Sequence, residues 1–156
     1  MVRIKHRWVI GQLVFGDVGQ VEEIASRDIV NMLREKLQQL FGDVGAGEFG
    51  GNTMIKFYDA NTHIIVIRTA REAEQSVRLA LTVMTGIKRN ALIVRTLSVA
   101  GSARTCLDKL RVLLDRALAA EAFLAPGDGD EAGAREESAR QKRKDQYATL
   151  LQSLEL

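Results

Sequence analysis

The feature that most constrains this chain is the run His63-Ile64-Ile65-Val66-Ile67-Arg68, in which four consecutive β-branched residues are apolar at odd and even positions alike. β-Branched side chains favour extended backbone, where successive residues point to opposite faces. A strand that is apolar on both parities has both faces covered. It belongs inside a sheet, and that sheet lies between two layers.

On either side of this strand the hydrophobic period alternates between two and 3.6. Arg3 to Phe15 predicts a strand in which Arg3, Lys5 and Arg7 alternate with Ile4, His6 and Trp8, so the three cations share one side. Ser26 is the expected N-cap of a first helix, with Ile29, Met32, Leu33, Leu37, Leu40 and Phe41 recurring at helical spacing until Gly42. The glycine-rich run from Gly42 to Gly51 is expected to be a flexible connection. Met54 to Tyr58 and Thr62 to Thr69 predict a hairpin around Asp59-Ala60-Asn61. Thr69 and Glu72 make a capping-box pattern for a second helix with the stripe Ala73, Val77, Ala80, Leu81 and Met84, closed by Gly86. A strand follows over Ala91 to Val99. Ser102 then opens a third helix with Cys106, Leu107, Leu110, Leu114, Ala117 and Leu118 on one side, ending before Pro126.

The order β-α-β-β-α-β-α predicts an α+β fold, a ferredoxin-like (RRM-like) sandwich with an antiparallel sheet, two helices on one face and an extra C-terminal helix. The third helix, or a partner protein, is expected to cover the second face. Residues 1–124 form this domain, and 125–156 read as a charged, mobile linker (125–146) with a short amphipathic tail set at Tyr147, Leu150, Leu151 and Leu154. That set needs a surface to dock on.

Composition narrows the function. No window approaches the ~18 uninterrupted apolar residues of a membrane span, and Met1 to Trp8 carries charge without a following apolar stretch, so an intracellular, membrane-free protein is expected. Cys106 is the only cysteine; it excludes an internal disulfide or a cysteine zinc cage and reads as a small buried hydrophobe. The net charge is only +2. Its distribution says more, because Arg3, Lys5, Arg7, Lys88, Arg89, Arg95 and Arg104 fall in segments nearly free of acids, which predicts a locally basic face.

Catalysis needs tunable groups brought together, yet the chain has two histidines and no paired carboxylates at a recognisable turn. Asp59, Asn61 and His63 have a spacing that could reach a metal, but Asp and Asn are also ordinary hairpin-turn residues. His6 reads as a hydrogen-bonded structural histidine. The run Gly42 to Gly51 lacks the ending of a phosphate-binding P-loop. The inner strand carries none of the aromatics with which RNA-recognition domains stack bases, so RNA contacts are expected through phosphates, sugar hydroxyls and shape. The sharpest local feature is Val99-Ala100-Gly101-Ser102-Ala103-Arg104-Thr105-Cys106, a strand turning through glycine into a helix. It has two readings: an anion site at a helix N-terminus, or simple capping by Ser102. Arg140-Gln141-Lys142-Arg143-Lys144 reads as a soluble helix face, with a nuclear-import or RNA-contacting patch as the other reading.

The opening Met1-Val2-Arg3-Ile4-Lys5-His6-Arg7-Trp8 and the segment Thr96 to Cys106 together resemble the Pop-five family of protein subunits of ribonuclease P and ribonuclease MRP, and Thr62 to Arg68 is similar to the family's hairpin-plus-arginine segment. The likeness covers roughly residues 1 to 115; the loop 42–51 and the tail depart from it. The resemblance implies a non-catalytic subunit that pairs with a larger TIM-barrel-like protein subunit, joins other ribonuclease P proteins, and braces a catalytic RNA. That RNA, through magnesium ions bound to it and not to this chain, matures the 5′ end of precursor tRNA; ribosomal RNA processing follows for MRP. It further implies RNA contacts by Arg3, Lys5, Arg7, Arg68 and Arg104, no cofactor of its own, and a nuclear or nucleolar location. Lys88, Arg89, Arg95, Ser102 and Thr105 complete the candidate RNA-binding set on charge and position. A ferredoxin-like regulator binding a small molecule is the alternative.

Overall fold

A computed structural model describes residues 5–16, 23–124, 138, 141–149 and 152. Arg3, the rest of the opening tetrapeptide, Arg140, Leu150, Leu151 and Leu154 lie outside the described residues. The chain divides into two compact units, one ending at Cys106 and the other beginning at Leu107.

The elements are β1 (His6–Phe15), α1 (Ser26–Gly50), β2 (Met54–Tyr58), β3 (Ile64–Ala70), α2 (Glu74–Val83), β4 (Gly86–Ile87), β5 (Asn90–Ala100) and α3 (Ala103–Leu124). The strands form one sheet in the order β2-β3-β1-β5-β4, antiparallel throughout. Leaving out the two-residue β4, this is the order of a ferredoxin-like sandwich, as expected. β4 itself was not foreseen: two residues show no periodicity, and Gly86 pairs with Ala91 instead of ending a helix.

One face of the sheet builds the core. Val9, Leu13, Ile65, Ile67, Leu92 and Val94 pack against Ile29, Leu33 and Leu37 of α1 and Val77, Ala80 and Leu81 of α2. Each of the large aliphatic side chains among them contributes about 1.5–3 kcal/mol by leaving water. On the other parity Ile10, Ile64 and Val66 are buried too, so β3 is closed on both faces as its sequence requires. Gly11 sits where a side chain would crowd the inner strand, since a Cβ there would lie 3.3 Å from Ile65 Cγ1. At the same point β5 carries a bulge, with Ile10 opposite Ser98 and Gly11 opposite Thr96. The outer strand β2 is bulged as well, where Lys56 falls between the pairs Ile55–Ile67 and Phe57–Val66.

Around the first two helices three expectations are corrected. The run 42–51 is not a flexible connection: α1 kinks at Gly42 (φ 70°) and continues helically to Gly50. Glycine costs about 1 kcal/mol relative to alanine in a helix, but here Phe49 packs on the core and meets Phe41 edge-to-face with centroids 5.3 Å apart. Ser26 is not the cap of α1. Ala25 holds that position, and the Asp28 carboxylate accepts its N–H at 2.9 Å. Thr69 does not cap α2 either: it lies within β3, fully buried, its hydroxyl 2.9 Å from that of Thr53. The helix starts later, at Glu74, with the expected stripe buried.

In the second unit Leu107, Leu110, Leu114 and Leu118 of α3 are buried. Residues 141–149 are helical, so 141–146 do not belong to a mobile linker. Gln141 Nε2 donates to Asp145 Oδ1 at 3.2 Å across one turn. Tyr147 is buried, and with Ala148, Lys144, Arg111, Leu114 and Asp115 it lines a cleft of about 190 Å³, so the tail meets α3. Among the described residues no helix is long and apolar enough to cross a membrane.

Candidate nucleic-acid interface

Strand pairing decides which candidate residues can act together. Residues directly opposite one another share a face, and faces alternate along a strand. Arg7 pairs with Thr69 and lies on the parity of Val9. Trp8 pairs with Arg68 on one side and Ala100 on the other, so Arg68 lies on the opposite face of the sheet from Arg7. The candidate cations therefore do not make one basic face.

The first group is Arg7 with the turn from β5 into α3. A Cβ at Gly101 would lie 3.4 Å from Arg7 Nη1, an ordinary contact distance, so the half-buried guanidinium lies against the turn. Ser102 Oγ accepts the Thr105 N–H at 3.2 Å and lies 2.9 Å from Thr105 Oγ1, while the Cys106 N–H donates to the Ser102 carbonyl at 3.1 Å. Ser102 is therefore a cap. Capping uses one first-turn N–H, whereas those of Ala103 and Arg104 precede it, at the positive end of the helix dipole. Ser102, Arg104 and Thr105 are exposed, as is Lys5. Among the described residues neither Arg7 nor Arg104 forms an ion pair.

The other candidates are dispersed. Lys88, at φ 54° in the turn between β4 and β5, is engaged: its ammonium lies 2.9 Å from Asp28 Oδ2 and donates to the Glu23 carbonyl at 2.9 Å. The Lys88 hydrogen bond, with that from the Ala25 N–H, holds the Asp28 carboxyl below its ordinary value. Arg89 and Arg95 are exposed, Arg95 opposite Gln12 and thus on the Arg68 face. Arg68 Nη2 lies 3.1 Å from His6 Nε2, and Arg68 Nε is buried with no hydrogen-bond partner among the described residues.

The Asp59-Asn61-His63 segment is a turn. Asp59 Oδ2 accepts the Thr62 N–H at 2.9 Å and its hydroxyl at 2.6 Å, which commits the carboxylate to the hairpin. His63 takes φ 55° and packs edge-to-face on Phe15 at 4.7 Å. Burial holds its imidazole below the ordinary value, with Asp59 opposing the shift. Among the described residues no group of three His, Cys, Asp or Glu side chains is placed to hold a metal ion.

Fold and site together define an α+β sandwich of ferredoxin-like type with an arginine beside the Ser102-capped turn at the head of its third helix. Residues 7–111 match the model of the Rpp14/Pop5 family, and the chain belongs to that family. The human ribonuclease P/MRP protein subunit POP5 is 29% identical over 110 residues, spanning 68% of each chain. Its counterpart in the fission yeast Schizosaccharomyces pombe is 22% identical over 111 residues, 65% of this chain and 80% of that one. A chain in the cryo-EM structure of yeast ribonuclease MRP is similar in fold, with a TM-score of 0.52 at 12% identity, over 94% of this chain and 98% of its own length.

Proposed function

We propose that this chain is a protein subunit of the ribonuclease P/MRP ribonucleoprotein, binding its RNA and leaving the cleavage chemistry to that RNA. One observation carries the reading: the family match over residues 7–111 includes both Arg7 and the Gly101–Thr105 turn, segments distant in sequence that the fold sets side by side. The names of the human and fission-yeast relatives point to the same ribonucleoprotein.

In this reading Arg7 and Arg104 neutralise backbone phosphate, the free N–H groups at the head of α3 complete the seat, and Lys5 adds charge nearby. Such contacts fix position and carry no sequence information. The chain needs no cofactor of its own; magnesium ions on the RNA serve the hydrolysis of precursor tRNA, and of ribosomal RNA precursors in MRP. A TIM-barrel-like subunit and other proteins of the complex are its neighbours, in the nucleus and nucleolus.

A gel-shift titration of the purified chain against ribonuclease P and MRP RNA, repeated at several salt concentrations, tests the reading. Binding that weakens steeply with salt is expected, with no cleavage of precursor tRNA by RNA-free protein. Magnesium-dependent cleavage by the protein alone, or no RNA affinity at low salt, overturns it.

A further inference from the structure

The sheet face opposite α1 and α2 is buried along Ile10, Ile64 and Val66, but one row across its end is built differently. Strand register aligns Met54 of β2, Arg68 of β3, Trp8 of β1 and Ala100 of β5 side by side on that face. Met54 is 52% exposed, and Trp8 is partly exposed. An arginine thus stands between two accessible, polarisable apolar side chains. His6, one pleat along on the same face, meets Arg68 through Nε2.

The hydrogen bonding of this cluster is lopsided. Arginine can only donate, so His6 Nε2 is the acceptor and the imidazole proton sits on Nδ1. The Trp8 indole is also donor-only. Arg68 Nε is closed to water with no acceptor, a state that costs free energy until an acceptor arrives. Among the described residues this single contact with His6 is the only hydrogen bond that the Arg68 side chain makes. Among the described residues the side-chain polar groups left over at the row are donors, and the side chains beside Arg68 in it, Trp8, Met54 and Ala100, are flat or soft and largely apolar. A ligand that fits must bring a stacking face together with an edge made of acceptors. On the major-groove edge guanine does so, through O6 and N7, where adenine sets a donor beside its N7, cytosine has its N4 donor and uracil a single O4 acceptor. Unpaired bases are read in this way, by stacking on aromatic rings while an edge is hydrogen-bonded.

We propose that Trp8, Arg68 and His6, with Met54 as the outer wall, form a seat for one unpaired guanine of an RNA strand. The seat deepens the RNA-binding reading and rests on it, but it is distinct from the Arg7–Gly101 turn, which lies on the other face. It supplies the base selectivity that the phosphate turn lacks. Aromatics sought only on the inner strand do not reveal it, because the indole comes from the neighbouring strand.

Trp8 is the only tryptophan of the chain, so its fluorescence reports the seat directly. The test titrates the full-length protein with the single-stranded heptamers UUUGUUU, UUUAUUU and UUUUUUU, and separately with inorganic phosphate. The guanine heptamer is expected to quench Trp8 and to bind about tenfold more tightly than the other two. Arg68→Lys, which keeps the charge and loses the fork, is expected to erase that preference while the uridine heptamer still binds. Equal affinity for the three heptamers with normal salt dependence overturns the seat and leaves the RNA-binding reading standing. Phosphate quenching as strong as that of the guanine heptamer also overturns it, in favour of a simple anion site. If no heptamer binds and ribonuclease P and MRP RNA fail to bind as well, the RNA-binding reading falls and the seat with it.

Discussion

Between β4 and β5 the chain turns through Lys88 and Arg89; between β5 and α3 it turns through Gly101 to Thr105. Both turns are basic in sequence, and they spend their charge differently. Lys88 has its anion within the fold, bridging the Asp28 carboxylate and the Glu23 carbonyl. It fastens the start of α1 to the sheet edge. Arg7 and Arg104 form no ion pair among the described residues and flank a helix N-terminus instead. A cation already paired within the fold serves stability, whereas one held beside unused backbone donors is available to a phosphate from outside.

The largest effect should come from removing both available cations. Arg7→Gln with Arg104→Gln is expected to lower RNA affinity at least about tenfold, since hydrogen bonds to charged groups are worth roughly 1.5–3 kcal/mol each. The log–log salt slope should flatten by about 1.5 units, at roughly 0.7–0.9 per phosphate, while the melting temperature stays unchanged. An unaltered salt slope breaks the comparison. A smaller loss is expected from Gly101→Val, whose Cβ would already be in van der Waals contact with Arg7 Nη1, so that its added methyl groups are expected to shift the guanidinium without removing its charge; filter binding beside the double variant ranks the two.

Lys88→Ala sharpens the contrast from the other side. RNA affinity should not change, but the melting temperature should fall slightly at neutral pH. Asp28 is held below its ordinary carboxylate value, so its contribution to stability is present above that value and lost as pH falls through the depressed one. The gap between wild type and variant should therefore close in acid, as a series of melts across pH would show.

The smallest effect concerns His63. Its folded imidazole is held below the ordinary value of 6.5, so the folded state binds fewer protons than the unfolded chain. The contribution of this group is complete above about pH 6.5 and is lost as pH falls below it. His63→Asn keeps a residue that tolerates φ 55°, and its melting temperature should fall less between pH 7 and 5.

Much of the fold was legible because burial leaves a periodic trace. Ile64 to Ile67 announced an inner strand, and the α2 stripe from Ala73 to Met84 is buried as read. What was misread turned on hydroxyl and glycine positions, whose local meaning depends on distant partners. Thr69 followed by Glu72 is a helix-start pattern, but Thr53 claims the Thr69 hydroxyl across the sheet. Gly42 to Gly51 looks unstructured until Phe49 has a core to rest on. For the site, Arg7 and Gly101 could be associated only through their shared likeness to a family. That Arg68 belongs with Trp8 and not with Arg7 follows from register, which no single strand encodes.

The outer strands bear on a matter beyond recognition. A sheet edge exposes unpaired backbone groups that invite strands from other molecules, and the inner strand of this sheet is of the kind that aggregates when uncovered. Here one margin, β4, is two residues long, and the other, β2, is broken midway by the bulge that holds the exposed Lys56. The β2 edge is thereby interrupted, whereas β4 pairs only Asn90 and Ala91 of the 11-residue β5, so the two margins are protected unequally. A charge set in an edge-strand bulge is one of the devices that discourage edge-to-edge pairing, and Lys56 occupies such a place.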